Sequence, residues 1–247
     1  MKKRNKSKKI SSKAKNFGKS SEREEMERLG FTYIGKPDKV GDFKIPKWWE
    51  CGWRRTACNK KECILCGKIL RDRQRHIDKG DDPDDMKSVM EDVGNSLGEA
   101  LQMIKKHAES MGIDITNIDD TENPPEPKKF PLYRKVDCWR KSIENIVNAA
   151  YEANELWFDS VAAADLLWYR HTLAAKTYRQ LCNKWHIDRG DEYGDVDYQY
   201  TKYVLSECLR ILERSLAELS SLASEEKAEL MLALGRLKDM KGEILKI

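Results

Sequence analysis

Four cysteines occupy sixteen consecutive positions near the beginning of this chain. They follow the spacing C-x6-C-x4-C-x2-C over residues 51–66, whereas the other 231 residues hold only three cysteines. A cluster this dense is typical of a disulfide framework or a metal site. The basic N-terminus is not followed by the apolar segment of a secretory signal, so the sequence predicts a cytoplasmic protein. Thiols stay reduced there, and the cluster therefore predicts a bound metal ion.

Zinc is the predicted metal, because four thiolates match the tetrahedral preference of a structural Zn²⁺ site. Such a site leaves no open position for catalysis, and metal binding supplies much of the folding free energy of a short segment. The last pair lies in CILCGK, which resembles a zinc knuckle, with Gly67 expected to let backbone amides approach the sulfurs. The predicted ligands are Cys51, Cys58, Cys63 and Cys66.

An iron–sulfur cluster is the alternative cofactor. The run C-x4-C-x2-C also occurs in plant-type ferredoxins, whose fourth cysteine lies downstream. Here the fourth candidate, Cys51, lies upstream. The C-x6-C start resembles the cluster loop of endonuclease-III-like DNA glycosylases, although that family continues with C-x2-C-x5-C. His76 is a further candidate for the fourth ligand in place of Cys51.

Aromatic and basic residues surround these cysteines. Zinc modules that bind RNA present aromatic rings for base stacking and cations for phosphates. The sequence therefore predicts a nucleic-acid contact, with RNA favoured, although each tryptophan is also a candidate for the core around the metal. The predicted contact residues are Trp48, Trp49, Trp53, Arg54, Arg55, Lys60, Lys61, Lys68, Arg71, Arg73 and Arg75.

The charge of the chain is strongly asymmetric. The net charge is only +4, yet residues 1–20 carry nine basic and no acidic side chains, and residues 44–75 carry ten basic and three acidic ones. Attraction to a polyanion therefore belongs to the N-terminal third of the chain. Residues 1–20 are polar and low in complexity, which predicts a disordered basic tail.

The remaining sequence predicts a mostly α-helical protein in two parts. After a short helix at 21–30, a metal module within residues 21–118 leads into a long helix, with Asp82 as its N-cap and Pro83 at its first position. A Pro-rich linker covers residues 119–132. Residues 133–247 predict an antiparallel four-helix bundle, because each apolar stripe must bury itself against another. Whether residues 134–187 form one helix or two stays open, since NELWFDS holds no Gly or Pro.

One motif in the bundle suggests catalysis. YRQLCNKWH places Arg179 and His186 seven residues apart, which is two turns along one helix face. This R-x6-H pattern resembles the R-x4–6-H motif of the HEPN family, helical bundles that include metal-independent ribonucleases. The resemblance implies that His186 acts as acid and base while Arg179 stabilises charge. The alternative places His186 at a helix C-terminus, where the helix dipole favours it.

The function predicted from these features is a non-catalytic, zinc-binding protein that associates with RNA or the ribosome. The sequence contains no P-loop, no nucleophile elbow and no zincin motif. It also lacks an apolar run of roughly 18 residues, so no membrane partner is predicted. The C-terminal bundle is the predicted site for a second copy or a partner helix. A HEPN-like ribonuclease, a protein–protein adaptor and an iron–sulfur protein are the alternatives.

Overall fold

The computed structural model describes residues 36–56, 58–112, 114, 123–190 and 194–247. The predicted tail at 1–20 and the predicted helix at 21–30 lie outside these residues. Within the described part, the protein is mostly α-helical, and its sheet is limited to one short hairpin. Residues 37–247 form one compact unit.

The N-terminal half of that unit begins with the hairpin of β1 (Lys39–Val40) and β2 (Phe43–Lys44), which are antiparallel. A 3-10 turn, Lys47–Gly52, and a loop lead into α1 (Ile64–Lys79) and then α2 (Met86–Ser110). α1 ends where Gly80 adopts a φ of 80°, a left-handed conformation that glycine accepts without strain. The residues that carry the cysteines therefore connect the hairpin to a pair of helices.

The start of α2 differs from the prediction. The N-cap is Asp85, whose side chain accepts a hydrogen bond from the backbone amide of Lys87, and the helix begins at Met86. Asp82 instead accepts from the amide of Asp84, one turn earlier. Both aspartates can cap a helix, and the prediction of Asp82 was wrong because Pro83 was placed inside the helix rather than before it.

The C-terminal half is a four-helix bundle, as predicted. Its helices are α3 (Pro131–Glu152), α4 (Val161–Ile187), α5 (Gly194–Leu222) and α6 (Lys227–Ile244). α4 packs on α3 and α5, and α6 packs on α5 and α3, which closes the ring. The short connections make consecutive helices antiparallel. The apolar stripes meet in a core whose most buried members include Val136, Ile143, Leu166, Leu173, Leu205, Leu212, Leu216, Leu230 and Leu237.

Residues 134–187 form two helices rather than one. α3 ends at Glu152, and Asn154 takes a φ of 55°, which stops the helical path without a glycine. Ser160 then caps α4 by accepting a hydrogen bond from the amide of Ala163 at 3.1 Å. The break is therefore encoded by an asparagine and a serine.

The predicted domain boundary at 119–132 stays a prediction, because residues 115–122 are outside the described part of the chain. The end of that segment, Pro127–Lys129, forms a 3-10 turn that leads into α3. Its prolines suit such an entry, since proline is pre-shaped for the first turn of a helix.

Candidate metal centre

The four cysteines that the sequence singles out lie together. Cys51 comes from the 3-10 turn, Cys58 from the loop, and Cys63 and Cys66 from the N-cap and first turn of α1. All four Sγ atoms lie within 4.8 Å of one another. The separations of individual pairs are 3.8 Å for Cys51–Cys58, 3.6 Å for Cys51–Cys63 and 3.2 Å for Cys58–Cys66. The cysteines are free thiols, so this group can hold a metal ion.

Backbone amides point at two of the sulfurs. The amides of Cys66 and Leu65 donate to Cys63 Sγ, and that hydrogen bonding lowers the pKa of the Cys63 thiol to about 7. The amide of Lys60 donates to Cys58 Sγ. By contrast, burial and the neighbouring thiols raise the pKa of Cys51 to about 12. Amide donors of this kind stabilise thiolates, the form in which cysteine binds metal.

Gly67 is required next to this cluster for a specific steric reason. A Cβ atom at this position would lie 2.3 Å from the backbone carbonyl oxygen of Lys61. The amide of Gly67 meanwhile donates to the carbonyl of Cys63 at 2.7 Å. The absence of a side chain at Gly67 therefore allows the carbonyl oxygen of Lys61 to approach the backbone of α1 closely. The sequence instead predicted that Gly67 lets backbone amides approach the sulfurs.

The segment that carries the four cysteines, residues 45–66 and called the cysteine loop below, is fixed to the bundle through Trp53. This side chain is only 2% exposed, and its Nε1 donates to the hydroxyl of Tyr200 on α5 at 3.0 Å. Its ring packs edge-on against Tyr169 and Tyr203, with centroids 6.4 and 6.0 Å away. Trp168 on α4 donates to the carbonyl of Trp53 at 2.8 Å. Trp53 therefore packs as a core residue between the loop and the two helices.

The sequence did not predict that these bundle residues contact the cysteine loop. The aromatic-rich stretches WYRHTLAAKTYRQLCNKW and DYQYTKYV predicted bundle core together with an interaction groove. In the structure, four of these aromatic side chains form hydrogen bonds with the cysteine loop: Trp168 and Tyr169 of the first stretch, and Tyr200 and Tyr203 of the second. The unusual density of aromatic side chains was the available signal.

The other two predicted tryptophans differ in exposure. Trp49 is half-buried, with its ring edge-on to Tyr200 at a centroid distance of 4.9 Å. Trp48 is 37% exposed and lies beside Trp49 at 6.4 Å. Of the three rings, Trp48 is therefore the one that is most accessible to a ligand.

Five of the eight predicted cationic side chains are paired with acids. Arg55 bonds to Asp165 of α4 at 2.7 Å, and Lys68 bonds to Glu99 of α2 at 3.0 Å. The further pairs are Arg54–Glu50, Arg73–Asp84 and Arg75–Asp92. The other three of the eight, Lys60, Lys61 and Arg71, are exposed and carry no ion pair within the described residues. Much of the basic charge near the cysteines is therefore balanced internally.

A cavity of about 340 Å³ opens beside the thiols. Three cysteines, Cys51, Cys58 and Cys63, lie on its wall with Trp48. The charged side chains of the wall are the basic Lys47, Arg54 and Lys60 and the acidic Glu50 and Glu62. The accessible ring and the accessible lysine are thus on the same side of the module as the sulfurs.

The remaining histidine and arginine candidates have structural partners. His76 is fully buried, and its Nε2 lies 2.9 Å from Asp92 Oδ1 on α2. Arg179 donates to Asp197 on α5 at 2.7 Å, and Asn183 donates to the same oxygen at 2.6 Å. His186 lies in the last turn of α4, with its ring edge-on to Trp185.

No known protein family, curated protein or solved structure matches this chain. In the part of the chain that the structure describes, no helix combines the length and the apolar character that crossing a membrane requires. The fold and the site together define a helical protein with a four-cysteine group that can hold a metal ion.

Proposed function

We propose that this chain is a non-catalytic, zinc-binding protein that binds RNA, alone or within the ribosome, through its basic N-terminal third. The observation that carries the metal assignment is the convergence of four thiols within 4.8 Å. Zinc fixes the cysteine loop, and Trp53 joins that loop to the helical bundle.

The proposal of a single zinc ion rather than an iron–sulfur cluster rests on the distances between the sulfurs. A Zn–S bond is about 2.3 Å long, so tetrahedral coordination places the sulfurs about 3.8 Å apart. Three of the six separations, 3.2, 3.6 and 3.8 Å, are at or below that value, and all six are within 4.8 Å. A cluster inserts several irons and sulfides between the thiolates and holds them farther apart. Four protein ligands also give zinc a closed, structural role.

The RNA contact is proposed on the exposed side of the cysteine loop. Lys60, Lys61 and Arg71 carry no ion pair within the described residues, and Trp48 offers an exposed ring for stacking. The nine basic side chains of residues 1–20 add charge without sequence preference. The paired arginines, Arg54 and Arg55 among them, hold the loop in place in this proposal rather than contact phosphate.

The metal assignment is tested by elemental analysis and visible absorbance of protein purified without oxygen. We expect one zinc per chain and a colourless solution. Iron with visible absorbance would replace zinc by an iron site, and a protein without metal would overturn the assignment.

The RNA assignment is tested by binding titrations with single-stranded RNA at several salt concentrations. We expect log affinity to fall linearly with log salt, because phosphate binding releases counterions, and deletion of residues 1–20 should flatten the slope.

The double variant Lys60→Glu/Lys61→Glu should reduce the magnitude of the slope by roughly one to two. The matched control is Lys128→Glu/Lys129→Glu, an exposed lysine pair before α3. No binding at low salt, or equal loss in both double variants, would contradict the proposal.

A further inference from the structure

One of the four clustered thiols is accessible from solvent. Cys58 is exposed, whereas Cys51 and Cys63 are half-buried and Cys66 is only 4% exposed. Cys58 also lies on the wall of the open cavity of about 340 Å³, which is far larger than the ~15 Å³ that admits one water molecule. A small solute such as a peroxide can therefore reach the sulfur of Cys58.

The proposed zinc ion makes thiolates of all four cysteines, so exposure decides which of them reacts. A thiol that coordinates a metal ion is deprotonated, and the thiolate is the nucleophilic form of cysteine. Susceptibility to oxidation follows thiolate character and exposure together. Cys138 is exposed as well, but it lies outside the four-cysteine group and no metal holds it as a thiolate. The reactivity of Cys58 therefore rests on the zinc assignment proposed above.

A second thiol, itself buried, lies close to Cys58. Cys66 Sγ is 3.2 Å from Cys58 Sγ, whereas Cys51 Sγ is 3.8 Å away. The two sulfurs of a disulfide are about 2.05 Å apart, so Cys58 and Cys66, now at 3.2 Å, need to approach by only about 1.2 Å. An accessible thiolate beside a second cysteine that can resolve it is the arrangement of a redox-sensitive site.

We propose that Cys58 is a site of oxidation by peroxides, that Cys66 resolves the oxidised sulfur to a disulfide, and that this disulfide releases the zinc ion. Only Cys51 and Cys63 then remain as thiolates, which is too few for a closed structural site. Lys60 and Lys61 lie between the ligands Cys58 and Cys63 in the sequence. Loss of the ion therefore frees the segment that carries the proposed RNA contact, and oxidation regulates that contact.

The reaction has two steps, and one molecule of hydrogen peroxide accepts the two electrons. The Cys58 thiolate attacks one peroxide oxygen, the O–O bond breaks, and a sulfenic acid forms as hydroxide leaves. The Cys66 thiolate then attacks the sulfur of Cys58. The S–S bond forms, the S–O bond breaks, and a second hydroxide leaves. Two protons from solvent convert the two hydroxides to water.

Zinc release from the full chain under hydrogen peroxide tests the proposal. Zinc-loaded protein is treated with increasing amounts of peroxide, and free zinc is followed with a chromogenic chelator. The remaining thiols are alkylated, and the disulfides are located by mass spectrometry. We expect a Cys58–Cys66 disulfide to form in step with zinc release, at about one ion per peroxide consumed. Dithiothreitol and added zinc should reverse both changes.

Two matched variants separate the role of Cys58 from that of the cluster as a whole. Cys58→His and Cys51→His each leave three cysteines and one histidine, a ligand set that also binds structural zinc. Cys58→His removes the exposed thiol and should slow zinc release by about 10-fold or more. Cys51→His keeps both Cys58 and Cys66 and should release zinc nearly as fast as the wild type. Cys138→Ser, which removes an exposed thiol outside the cluster, should also match the wild type.

The possible failures of the oxidation site and of the zinc assignment are distinct. A zinc-loaded protein that keeps its ion under peroxide, or equal protection by the two histidine variants, would overturn the oxidation site and leave the zinc site in place. A first disulfide between any other pair of cysteines would do the same, and the wild-type disulfide map decides this point without the variants. A chain that binds no zinc would overturn the metal assignment and the inference that rests on it.

Discussion

The two helical regions of this protein carry the same sequence signal with opposite structural outcomes. In the bundle, apolar residues at helical spacing are buried, and Leu205, Leu212 and Leu237 have no exposed surface. In α2, residues at the same spacing remain exposed, as Leu97 and Leu101 show. A 3.6-residue period therefore identifies a helix and its apolar face, but it does not identify the partner that covers the face.

The same contrast separates two sources of stability. The bundle buries four apolar stripes against each other, so hydrophobic burial is sufficient to hold it. The cysteine loop has few buried side chains, chiefly Ile45, Trp53 and Cys66. In the proposed zinc-bound protein, a segment with so small a core depends on the metal, and on the contact of Trp53 with α5, for a fixed structure.

Loss of the metal is expected to have the largest effect and to separate the two regions. Cys63→Ser removes one of the four proposed zinc ligands, and structural zinc contributes about 10–16 kcal/mol of binding free energy in small zinc modules. We expect amide hydrogen exchange over residues 47–66 to become fast, while the exchange of α4 and α5 stays slow.

The control for this experiment is Cys138→Ser, which changes an exposed cysteine of α3. It should leave the exchange pattern and the zinc content unchanged. If residues 47–66 of the Cys63→Ser protein exchanged as slowly as in the wild type, the loop would be held by packing alone. The comparison between a metal-held loop and a burial-held bundle would then fail.

The sequence predicted the helical class, the bundle and the four clustered cysteines, because each has a local signature. Helical periodicity marks α3–α6, and the C-x6-C-x4-C-x2-C spacing marks the thiols. Contacts between distant residues were not predictable from those patterns. Trp53 pairs with Tyr200, which is 147 positions away, and Arg55 pairs with Asp165, which is 110 positions away.

The predicted nucleic-acid residues illustrate the same limit. A cluster of cations indicates attraction to phosphate only when the cations remain unpaired. Arg73 and Arg75 are instead matched by Asp84 and Asp92 of α2. The sequence does not predict these pairs, because the distance between the arginines and the acids depends on the turn between α1 and α2.

A smaller effect on stability is expected when a glycine is replaced by alanine, and its sign should differ between the cysteine loop and the bundle. Gly67→Ala places a methyl group 2.3 Å from the carbonyl oxygen of Lys61, so the loop or the start of α1 must shift. We expect a loss of about 1–3 kcal/mol, measured by chemical denaturation, together with weaker zinc binding. Gly235→Ala in α6 meets nothing within 4 Å and should stabilise the bundle by about 0.5–1 kcal/mol. A neutral Gly67→Ala variant would show that the loop does not need this close approach.

The smallest effect concerns the contact between loop and bundle, and it depends on pH. Burial raises the pKa of Tyr200 to about 12, from an ordinary value of 10.0. Because the folded-state pKa exceeds the unfolded-state value, the stabilisation is complete below pH 10 and is lost as the pH rises from 10 to 12. By pH 11 this one phenol should reduce the free energy of unfolding by about 1 kcal/mol.

Tyr200→Phe should cost about 1 kcal/mol at neutral pH, through the lost Trp53 hydrogen bond, and should remove that part of the alkaline decline. Denaturation curves between pH 8 and pH 11 measure both quantities, with Tyr151→Phe, at an exposed tyrosine of α3, as the control. A Tyr200→Phe protein with the wild-type alkaline decline would show that water reaches this phenol in the folded state, and that the junction between loop and bundle is open rather than packed.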